Sequence, residues 1–450
     1  MAVKGLKVAY IGGGSRSWAH KLMSDLVLCP DIAGSVSLYD IDFAGAKLNA
    51  QFGNWMNTLP GAKSRWDYSV AKNLRDALKG ADFVVSSITP GGLEMMEQDL
   101  NIPKKYGIIH TVGDTVGPAG LMRSMRSVKI HKEFAHEIAK TCPKAWVINY
   151  TNPMTVCTRT FTAVEPKLKV FGCCHEVFCS QEFFAKIVSE TLKVPLPDRR
   201  DIKVDITGVN HFTFITKATW KNHDVLALLK KYIKTKKMAR KYTKKEMLKE
   251  KDYFANNYQL AIELMNIYGY WGSAGDRHLC EFVPGILKSK ENMYRWGIIN
   301  TPIEYRKAVF ATKPALFKKQ LSGKEEFKLE KTGEEGVDLI LALLGIKPLI
   351  TNVNYRNNGQ IENLPKEAVV ETNAHFSKDS IKTIKAGKVP ESLYPLISRH
   401  CLNQELIIKS VLTKDKNLGL QSFINDPQCT GTLDETKEMY ERMLKATRVF

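Results

Sequence analysis

The sequence lacks any apolar run long enough to cross a membrane. No stretch of its 450 residues approaches the roughly eighteen consecutive apolar positions that a spanning helix needs, and the amino terminus has no signal-peptide pattern. The nine cysteines are odd in number and scattered, which argues against a disulfide framework and for reduced thiols. We therefore expect a cytoplasmic protein without a membrane partner.

Internal repeats, low-complexity tracts and nucleic-acid-binding motifs are also missing, although the formal charge of +19 suggests a nucleic-acid partner. Much of that charge lies in one lysine-rich segment, residues 217–251, which holds few acids. Because neither a zinc-finger nor an RNP-type pattern accompanies the lysines, we predict a solvated helical insertion and no nucleic-acid partner. The alternative is a non-enzymatic binding protein built around this segment.

The composition is that of a globular protein, with 44% hydrophobic and 25% charged residues. A length of 450 residues exceeds what one ordinary hydrophobic core supports. Because a new region begins after a polar, proline-containing segment, we predict two domains, residues 1–196 and 197–450.

Short apolar strands alternate with helical stretches in the first of these domains. This alternation is typical of parallel sheets wound by right-handed crossovers. The predicted fold class is α/β, a doubly wound Rossmann-type parallel sheet with a second α/β domain, as in lactate and malate dehydrogenases. The predicted strands include residues 6–11, 36–39, 82–88, 146–150 and 170–172.

A glycine-rich turn, Gly12-Gly13-Gly14-Ser15, follows the first predicted strand and precedes a helix. Such a turn lets the backbone approach a pyrophosphate, and the helix amino terminus offers free N–H groups. Asp40 ends the second strand, where dinucleotide sites place the acid that binds the ribose hydroxyls, so NAD is favoured over NADP. Ser17 replaces the third glycine of the fingerprint, and a purely structural turn is the alternative.

Polar and metal-type side chains follow the later strands. Cys174 and His175 end one strand, Asn152 follows another, and Asp114 lies in a glycine-rich loop before a long helix. Ligands bind at the carboxyl ends of strands in such sheets, so a thiol and an imidazole there suggest metal chemistry. The alternatives are a cysteine that is only a buried apolar residue and an aspartate that only caps a helix.

The second domain adds two further candidates. His211 lies among apolar residues, where a core histidine is the alternative to a ligand. Asp276 and Arg277 belong to the densest polar cluster of this half. In the first domain, Arg123 and Arg126 share one helical face and would either bind a carboxylate or be solvated.

Together these motifs resemble glycoside hydrolase family 4, the NAD- and divalent-metal-dependent glycosidases, over nearly the whole chain. The matching elements, in the family's order, are Gly12-Gly13-Gly14-Ser15, Gly113-Asp114-Thr115, Asn152-Pro153, Cys174-His175, Gly208-Val209-Asn210-His211 and Gly275-Asp276. Within the family, segments 151–159, 172–178 and 275–279 look most like α-galacturonidases. The resemblance therefore implies a hydrolase that cleaves α-galacturonides.

The resemblance also implies a mechanism that differs from the usual pair of carboxylates. In this family NAD takes hydride from carbon 3 of the sugar, a base removes the proton on carbon 2, and the glycosidic oxygen leaves by elimination. Water then adds and the hydride returns, so NAD is recycled within each turnover.

Residue roles follow from the same resemblance. Cys174 and His211 would be the protein ligands of Mn²⁺, which acts as a Lewis acid, and Asn152 would bind sugar hydroxyls nearby. Asp276 would be the base at carbon 2, although the phospho-glycosidases of the family have tyrosine there. Tyr268 and Tyr270 are therefore the alternative candidates for this base.

For the acid that assists the leaving group, His175 ranks first and Asp114 second. A uronate carboxylate suits a bidentate arginine, and Arg277 is preferred over Arg123 and Arg126 because it adjoins the proposed base. Family members are usually dimers or tetramers, so a homo-oligomer is expected. The alternatives are a family 4 glycosidase for α-glucuronides or α-galactosides, and a malate- or lactate-type NAD dehydrogenase that needs no metal.

Overall fold

The computed structural model describes residues 3–450 of the chain. Its strands are β1 (Val3–Ile11), β2 (Ile32–Tyr39), β3 (Trp66–Val70), β4 (Phe83–Ser86), β5 (Trp146–Asn149), β6 (Lys169–Gly172), β7 (Lys203–Val209), β8 (Phe212–Trp220), β9 (His223–Asp224), β10 (Trp271–Gly272), β11 (Leu349–Arg356), β12 (Val369–Ser377) and β13 (Ser380–Thr383). Each of the strands predicted above overlaps one of these.

The helices lie between and after the strands. They are α1 (Trp18–Val27), α2 (Phe43–Met56), α3 (Leu74–Leu78), α4 (Gly92–Lys104), α5 (Gly117–Thr141), α6 (Met154–Val164), α7 (Glu176–Leu192), α8 (Val225–Thr235), α9 (Lys244–Met247), α10 (Gln259–Tyr268), α11 (Asp276–Phe282), α12 (Lys290–Arg295), α13 (Ile303–Leu321), α14 (Gly336–Leu343), α15 (Tyr394–Thr413), α16 (Lys416–Asn425) and α17 (Leu433–Thr447).

Six parallel strands form the centre of the large sheet, in the order β3-β2-β1-β4-β5-β6. This is the order of a doubly wound dinucleotide-binding sheet. Every residue of β4 and β5 is buried, because helices cover both faces and leave no solvated side on which polar residues would alternate. The predicted fold class is confirmed.

Strands β11, β12 and β13 extend this sheet in antiparallel fashion beyond β6, where Asn354 is paired with Gly172. From the sequence, the strand ending at Gly172 is expected to be the last of the sheet, and this expectation is wrong. The added strands come from the second half of the chain, and no short-range pattern announces such a distant pairing. The division into domains 1–196 and 197–450 stays a prediction, and the large sheet draws strands from both sides of it.

A second, smaller sheet is formed by β7, β8, β9 and β10 within residues 3–450. Its apolar side chains, including Phe212, Phe214 and Trp271, pack in one core with α7, α10 and α11. The basic segment 217–251 begins in this sheet as the end of β8 and as β9, so the predicted helical insertion is wrong for its first residues. The remainder contains α8 and α9, separated by non-helical residues, and its lysines are mostly exposed.

In the described part of the chain, 3–450, each helix is either too short or too polar to cross a lipid bilayer.

Candidate active site

The glycine-rich turn lies at the carboxyl end of β1 and is held by the neighbouring strands. Gly12 and Gly13 both donate their backbone N–H to the carbonyl of Tyr39. Gly12 has φ of +99°, and a Cβ atom added there would lie 1.9 Å from the Ser87 carbonyl oxygen. Only glycine fits at this position, because any side chain would collide with the backbone that follows β4. The turn thus keeps its backbone free of side chains before α1.

Asp40 lies beside this turn, as the strand pattern predicts. Its carboxylate accepts hydrogen bonds from the backbone N–H groups of Gly14, at 2.8 Å, and Asp42, at 2.8 Å. Burial raises the pKa of Asp40, and these two amides oppose that rise. Ser15 closes the turn by donating its N–H to the Gly12 carbonyl at 2.9 Å. A turn of small residues beside a strand-terminal acid fits the phosphates and ribose of a dinucleotide.

A second group of polar side chains meets near the carboxyl ends of β5 and β6. One ligand atom from each of Asp114, His211 and His278 lies within 4.8 Å of the other two. Asp114 precedes α5, His211 lies in the two-residue turn between β7 and β8, and His278 is in the first turn of α11. Nitrogen and oxygen donors at this spacing fit one divalent cation.

The tautomer of His211 follows from its neighbour. The Thr115 hydroxyl donates to Asp114 Oδ1 at 2.7 Å and lies 3.0 Å from His211 Nδ1. Since that hydroxyl has already used its proton, His211 Nδ1 must donate to it, which leaves His211 Nε2 with a free lone pair. His211 also has a left-handed backbone, with φ of +65°, as strained residues at functional sites often do.

The charge state of the group suits a cation. Burial opposes ionisation of Asp114, but His278, His211 and Arg123 outweigh it and hold the pKa of that carboxyl well below its usual range. Burial and the neighbouring His211 lower the pKa of His278 to about 4, so this imidazole is neutral near pH 7. Within residues 3–450, the buried Nδ1 of His278 has no hydrogen-bond partner. A neutral imidazole with an unpaired nitrogen beside a carboxylate is a donor set for a metal.

Glu176 supports this group from α7. Its Oε2 accepts from the Gly275 N–H at 2.8 Å, and its Oε1 lies 3.6 Å from His278 Nε2. Burial opposes ionisation, but His278, His211 and His175 outweigh it and lower the pKa of Glu176 to about 2. Glu176 therefore places a negative charge beside His278, on the side of the ring away from Nδ1.

Cys174 is buried at the end of β6, but its sulfur is not part of the group of three within the described residues. The backbone carbonyl of Cys174 accepts from Asn352 Nδ2 at 2.9 Å. Burial, together with Glu371 and Glu176, raises the pKa of the Cys174 thiol well above its usual range. A metal ligand here would need a bound cation to ionise the thiol, and the assignment of Cys174 stays a prediction.

Glu281 fixes the loop that carries Asp114. One oxygen, Oε1, accepts from the backbone N–H groups of Thr111, Val112 and Gly113 at 2.8, 2.8 and 2.9 Å. The side chain is 1% exposed, so this carboxylate is almost fully desolvated. Burial opposes its ionisation, but His110 and the backbone amides outweigh it and lower the pKa of Glu281. Glu281 and His278 are three residues apart on α11, so one helix carries both a member of the group and its support.

Asn152 and Arg123, both candidates for substrate binding, lie next to the same group. Asn152 donates its Nδ2 hydrogen to Asp114 Oδ2 at 3.4 Å, and Arg123 Nε donates to the Asn152 carbonyl at 2.9 Å. The amide oxygen Oδ1 of Asn152 is buried and has no partner within residues 3–450. A sugar hydroxyl would satisfy that oxygen.

Asp276 makes a different set of contacts. Its Oδ1 accepts from the Ala261 N–H at 3.0 Å, at the amino terminus of α10, while Oδ2 is buried without a partner among the described residues. Burial raises the pKa of Asp276 to about 6, against the backbone hydrogen bonds. The structure thus attaches this carboxylate to α10 and not to the group of three, and its role as the base stays a prediction.

His175 lies at the edge of the site. It precedes α7, its ring centre is 5.6 Å from that of Trp18, and its Nδ1 is 3.7 Å from Glu334 Oε1. The side chain is 38% exposed, in contrast to the buried group of three. His175 therefore faces α1, on the side of the glycine-rich turn, and its role as the acid stays a prediction.

The arginine candidates separate clearly. Arg126 pairs with the buried Asp99 through both guanidinium Nη atoms, so it is committed to that acid. Arg277 donates to the Tyr253 carbonyl at 3.2 Å and stacks over Phe254. Its Nε is buried without a partner among the described residues, so Arg277 keeps a free donor.

The sequence did not predict a role for three residues that organise this site, namely Thr115, His278 and Glu281. Thr115 adjoins a quoted aspartate, and His278 and Glu281 lie three apart on one short helix, a spacing that places them on one face. That spacing was the available signal. Nothing local indicates that Glu281 reaches the amides of a loop some 170 residues earlier.

The fold and the site are of the kind found in enzymes that bind a dinucleotide and a metal ion. The sheet is of the dinucleotide-binding type, and a group of potential metal ligands lies at its carboxyl edge. The model of the family 4 glycosyl hydrolases matches residues 7–190, and the model of that family's C-terminal domain matches residues 206–429. The chain belongs to glycosyl hydrolase family 4, and it is therefore a glycosidase. Membership of this family excludes the two alternative classes, a malate- or lactate-type dehydrogenase and a non-enzymatic binding protein.

Individual relatives are similar to this chain over nearly its full length. An alpha-galacturonidase of Thermoanaerobacter italicus is 44% identical over 451 residues, which span 100% of this chain and 98% of that protein. The crystal structure of LplD from Bacillus subtilis is 40% identical and superposes with a TM-score of 0.91, covering 98% of this chain and 100% of that one. A 6-phospho-alpha-glucosidase from gut microorganisms, solved with NAD and Mn²⁺, shares the fold at 19% identity and a TM-score of 0.80, over 99% of this chain and 98% of that one.

Proposed function

We propose that this glycosidase hydrolyses α-galacturonides and requires NAD and a divalent metal, Mn²⁺ first among them. The observation that carries the proposal is the group of Asp114, His211 and His278 at the edge of a dinucleotide-type sheet, in a chain whose full-length relative is an alpha-galacturonidase. The mechanism that fits is oxidation at carbon 3, elimination across carbons 1 and 2, addition of water and reduction.

The NAD site is assigned to Gly12, Gly13, Gly14 and Ser15 with Asp40. Bound NAD would accept and later return one hydride. The glycines keep side chains away from the pyrophosphate, and the helix amino terminus supplies donors for it. Asp40 is held by two backbone amides and presents its remaining acceptor capacity to the ribose hydroxyls.

The metal site is assigned to His211, whose Nε2 is free, together with the carboxylate of Asp114 and the unpaired Nδ1 of His278. Cys174, which the family resemblance names as a ligand, completes the candidates. A divalent cation held there would polarise sugar oxygens at carbons 2 and 3 as a Lewis acid. Thr115 fixes the orientation of the His211 ring, and Glu176 places a negative charge beside His278.

The remaining roles rest on the resemblance and on proximity. Asn152 presents its unpaired amide oxygen to a sugar hydroxyl beside Asp114. Asp276, whose pKa is raised to about 6, is proposed as the base at carbon 2. His175, the more exposed residue, is proposed as the acid that protonates the leaving group, with Asp114 as the second choice.

A panel of aryl glycosides tests the substrate. Purified protein is assayed with NAD, Mn²⁺ and a reductant on α-D-galacturonide, α-D-glucuronide, α-D-galactoside and 6-phospho-α-D-glucoside. We expect the galacturonide to have the highest kcat/KM. A higher value for the glucuronide, the galactoside or the phosphorylated sugar would replace the proposed specificity while leaving the family assignment intact.

Gly12→Ala is expected to weaken NAD binding by about tenfold or more, equivalent to about 1.4 kcal/mol. The reason is the collision of the new Cβ with the Ser87 carbonyl oxygen, at 1.9 Å. Titration of NAD by protein fluorescence measures the change. Gly61→Ala is the matched control, because Gly61 also has a positive φ, +95°, but has nothing within 4 Å of the added atom. Equal NAD affinity in both variants would show that the glycine-rich turn, Gly12 to Ser15, is not part of the NAD site.

The proposed location is the cytoplasm, and the proposed assembly is a homodimer or homotetramer. All nine cysteines are free in the structure, as expected in a reducing compartment. Light scattering of the purified protein measures the assembly, and a monomeric mass would contradict it.

A further inference from the structure

Three arginines near the candidate metal group lack a carboxylate partner among the described residues. Arg123 contacts Asn152, which lies beside Asp114, and Arg306 contacts the Val112 carbonyl, two residues before Asp114. Arg277 adjoins His278 on α11. Within residues 3–450 these three side chains form no ion pair with a carboxylate. The nearby acids have other contacts, since Asp114 belongs to the group of three and Glu281 binds three backbone amides. Glu176 accepts from the Gly275 N–H and lies against His278. Partly desolvated guanidinium groups without an acid are costly unless an anionic ligand joins them.

Arg306, in the second turn of α13, is the least satisfied of the three. Its single hydrogen bond in the described chain is a long one, 3.4 Å from Nη2 to the Val112 carbonyl, and its Nε is buried without a partner. Arg123 makes a shorter bond, at 2.9 Å, to the Asn152 carbonyl. Arg277 also has an Nε that is unpaired within residues 3–450, but it donates to the Tyr253 carbonyl at 3.2 Å and stacks on Phe254. Arg306 therefore keeps most of its planar donor fork free.

The loop that carries Asp114 holds Arg306 in place. The Thr301 N–H donates to the Thr111 carbonyl at 3.0 Å, just before α13 begins, and Arg306 itself reaches the next residue of that loop, Val112. Burial, Arg277 and Arg123 lower the pKa of Arg306, while Asp114 and Glu281 oppose this. A guanidinium stays protonated in such surroundings.

We infer that Arg306 binds the carboxylate of the uronide substrate and thereby determines specificity for a negatively charged sugar. The inference rests on the proposed function, because it assigns a ligand to that same site. A planar fork with free donors matches a planar carboxylate in bidentate fashion, and Arg277 completes the pocket from α11. Arg126 is paired with Asp99 and is not available for this role.

The test compares Arg306→Gln with the wild-type enzyme, loaded with NAD and Mn²⁺. We expect KM for an aryl α-D-galacturonide, and the inhibition constant of free D-galacturonate, to rise by about 100-fold, because a desolvated charge partner is removed. The NAD dissociation constant should change by less than about threefold. Arg306→Lys keeps the charge without the fork and should fall between the two.

Lys307→Gln is the matched control. Lys307 adjoins Arg306 on α13 but pairs with Glu97 at the surface, so its loss should leave both KM and the inhibition constant unchanged. A purely structural role for Arg306 would lower kcat and melting temperature without this selective rise. Unchanged galacturonate affinity in Arg306→Gln would overturn the inference, and so would weakened NAD binding in its place, which would assign the anion to NAD.

The inference and the proposed function fail separately. If the wild-type enzyme does not cleave the galacturonide, the proposed function fails. Direct calorimetric titration with D-galacturonate then still decides the inference. Binding that depends on Arg306 supports it, whereas binding independent of Arg306, no binding, or tighter binding of a 6-phosphosugar overturns it.

Discussion

Replacing His211 by alanine is expected to lower kcat/KM for an aryl α-D-galacturonide by about 1000-fold, equivalent to about 4 kcal/mol of transition-state stabilisation. His211 is the residue on which the geometry and the family resemblance agree as a ligand. Its Nδ1 is bonded to Thr115, so Nε2 is the donor that alanine removes. Steady-state assays at saturating Mn²⁺ measure the loss. NAD titration is the control, and NAD affinity should be kept because the glycine-rich turn and Asp40 follow other strands.

Retention of more than about a tenth of the activity in His211→Ala would contradict the metal site. The fourth candidate can be assigned in the same enzyme by Co²⁺ substitution. A thiolate-to-Co²⁺ charge-transfer band that disappears in Cys174→Ser would place Cys174 among the ligands, because only a sulfur donor gives such a band. An enzyme without that band would be restricted to the nitrogen and oxygen donors of Asp114, His211 and His278.

Glu281→Gln is expected to lower activity by about 100-fold, the cost of a small misplacement at a catalytic site. One carboxylate oxygen accepts three backbone N–H groups of the loop before Asp114. Glutamine lacks the charge and offers a donor where only acceptors fit, so some buried amides lose their partner, at about 1–3 kcal/mol each. The melting temperature should fall as well.

A positioning role is distinguished from general damage by Mn²⁺ affinity. We expect Glu281→Gln to bind Mn²⁺ more weakly while NAD affinity is kept, because Asp114 shifts and the glycine turn does not. Asp99→Asn is a suitable comparison, since it disturbs a buried pair with Arg126 that stands apart from the group of three. Equal loss of Mn²⁺ and NAD affinity in Glu281→Gln would mean that the fold was damaged instead.

Much of the first half of the fold was predictable because its signals are local. Continuous apolar strands such as β4 and β5 are recognisable where helices cover both faces, and Gly12 and Asp40 follow strand ends at once. The antiparallel addition of β11 was not predictable, since it depends on pairing Asn354 with Gly172 across the chain.

The site shows the same division. The resemblance pointed to His211, Asn152 and Asp114, and the structure brings these three to one place. Arg306 and Glu281 could not be predicted from the sequence. A single arginine on a helix gives no indication that its Nε is buried without a partner, and a single glutamate gives none that it binds three backbone amides. Such partners are set by tertiary contacts alone.

The most direct test of the central claim is the initial rate of aryl α-D-galacturonide hydrolysis by enzyme stripped of both NAD and metal, with each added back alone and together. The account predicts hydrolysis only when both are present, without net accumulation of NADH, because the hydride returns within each turnover. Hydrolysis that proceeds with metal but no NAD, or with neither, would contradict it.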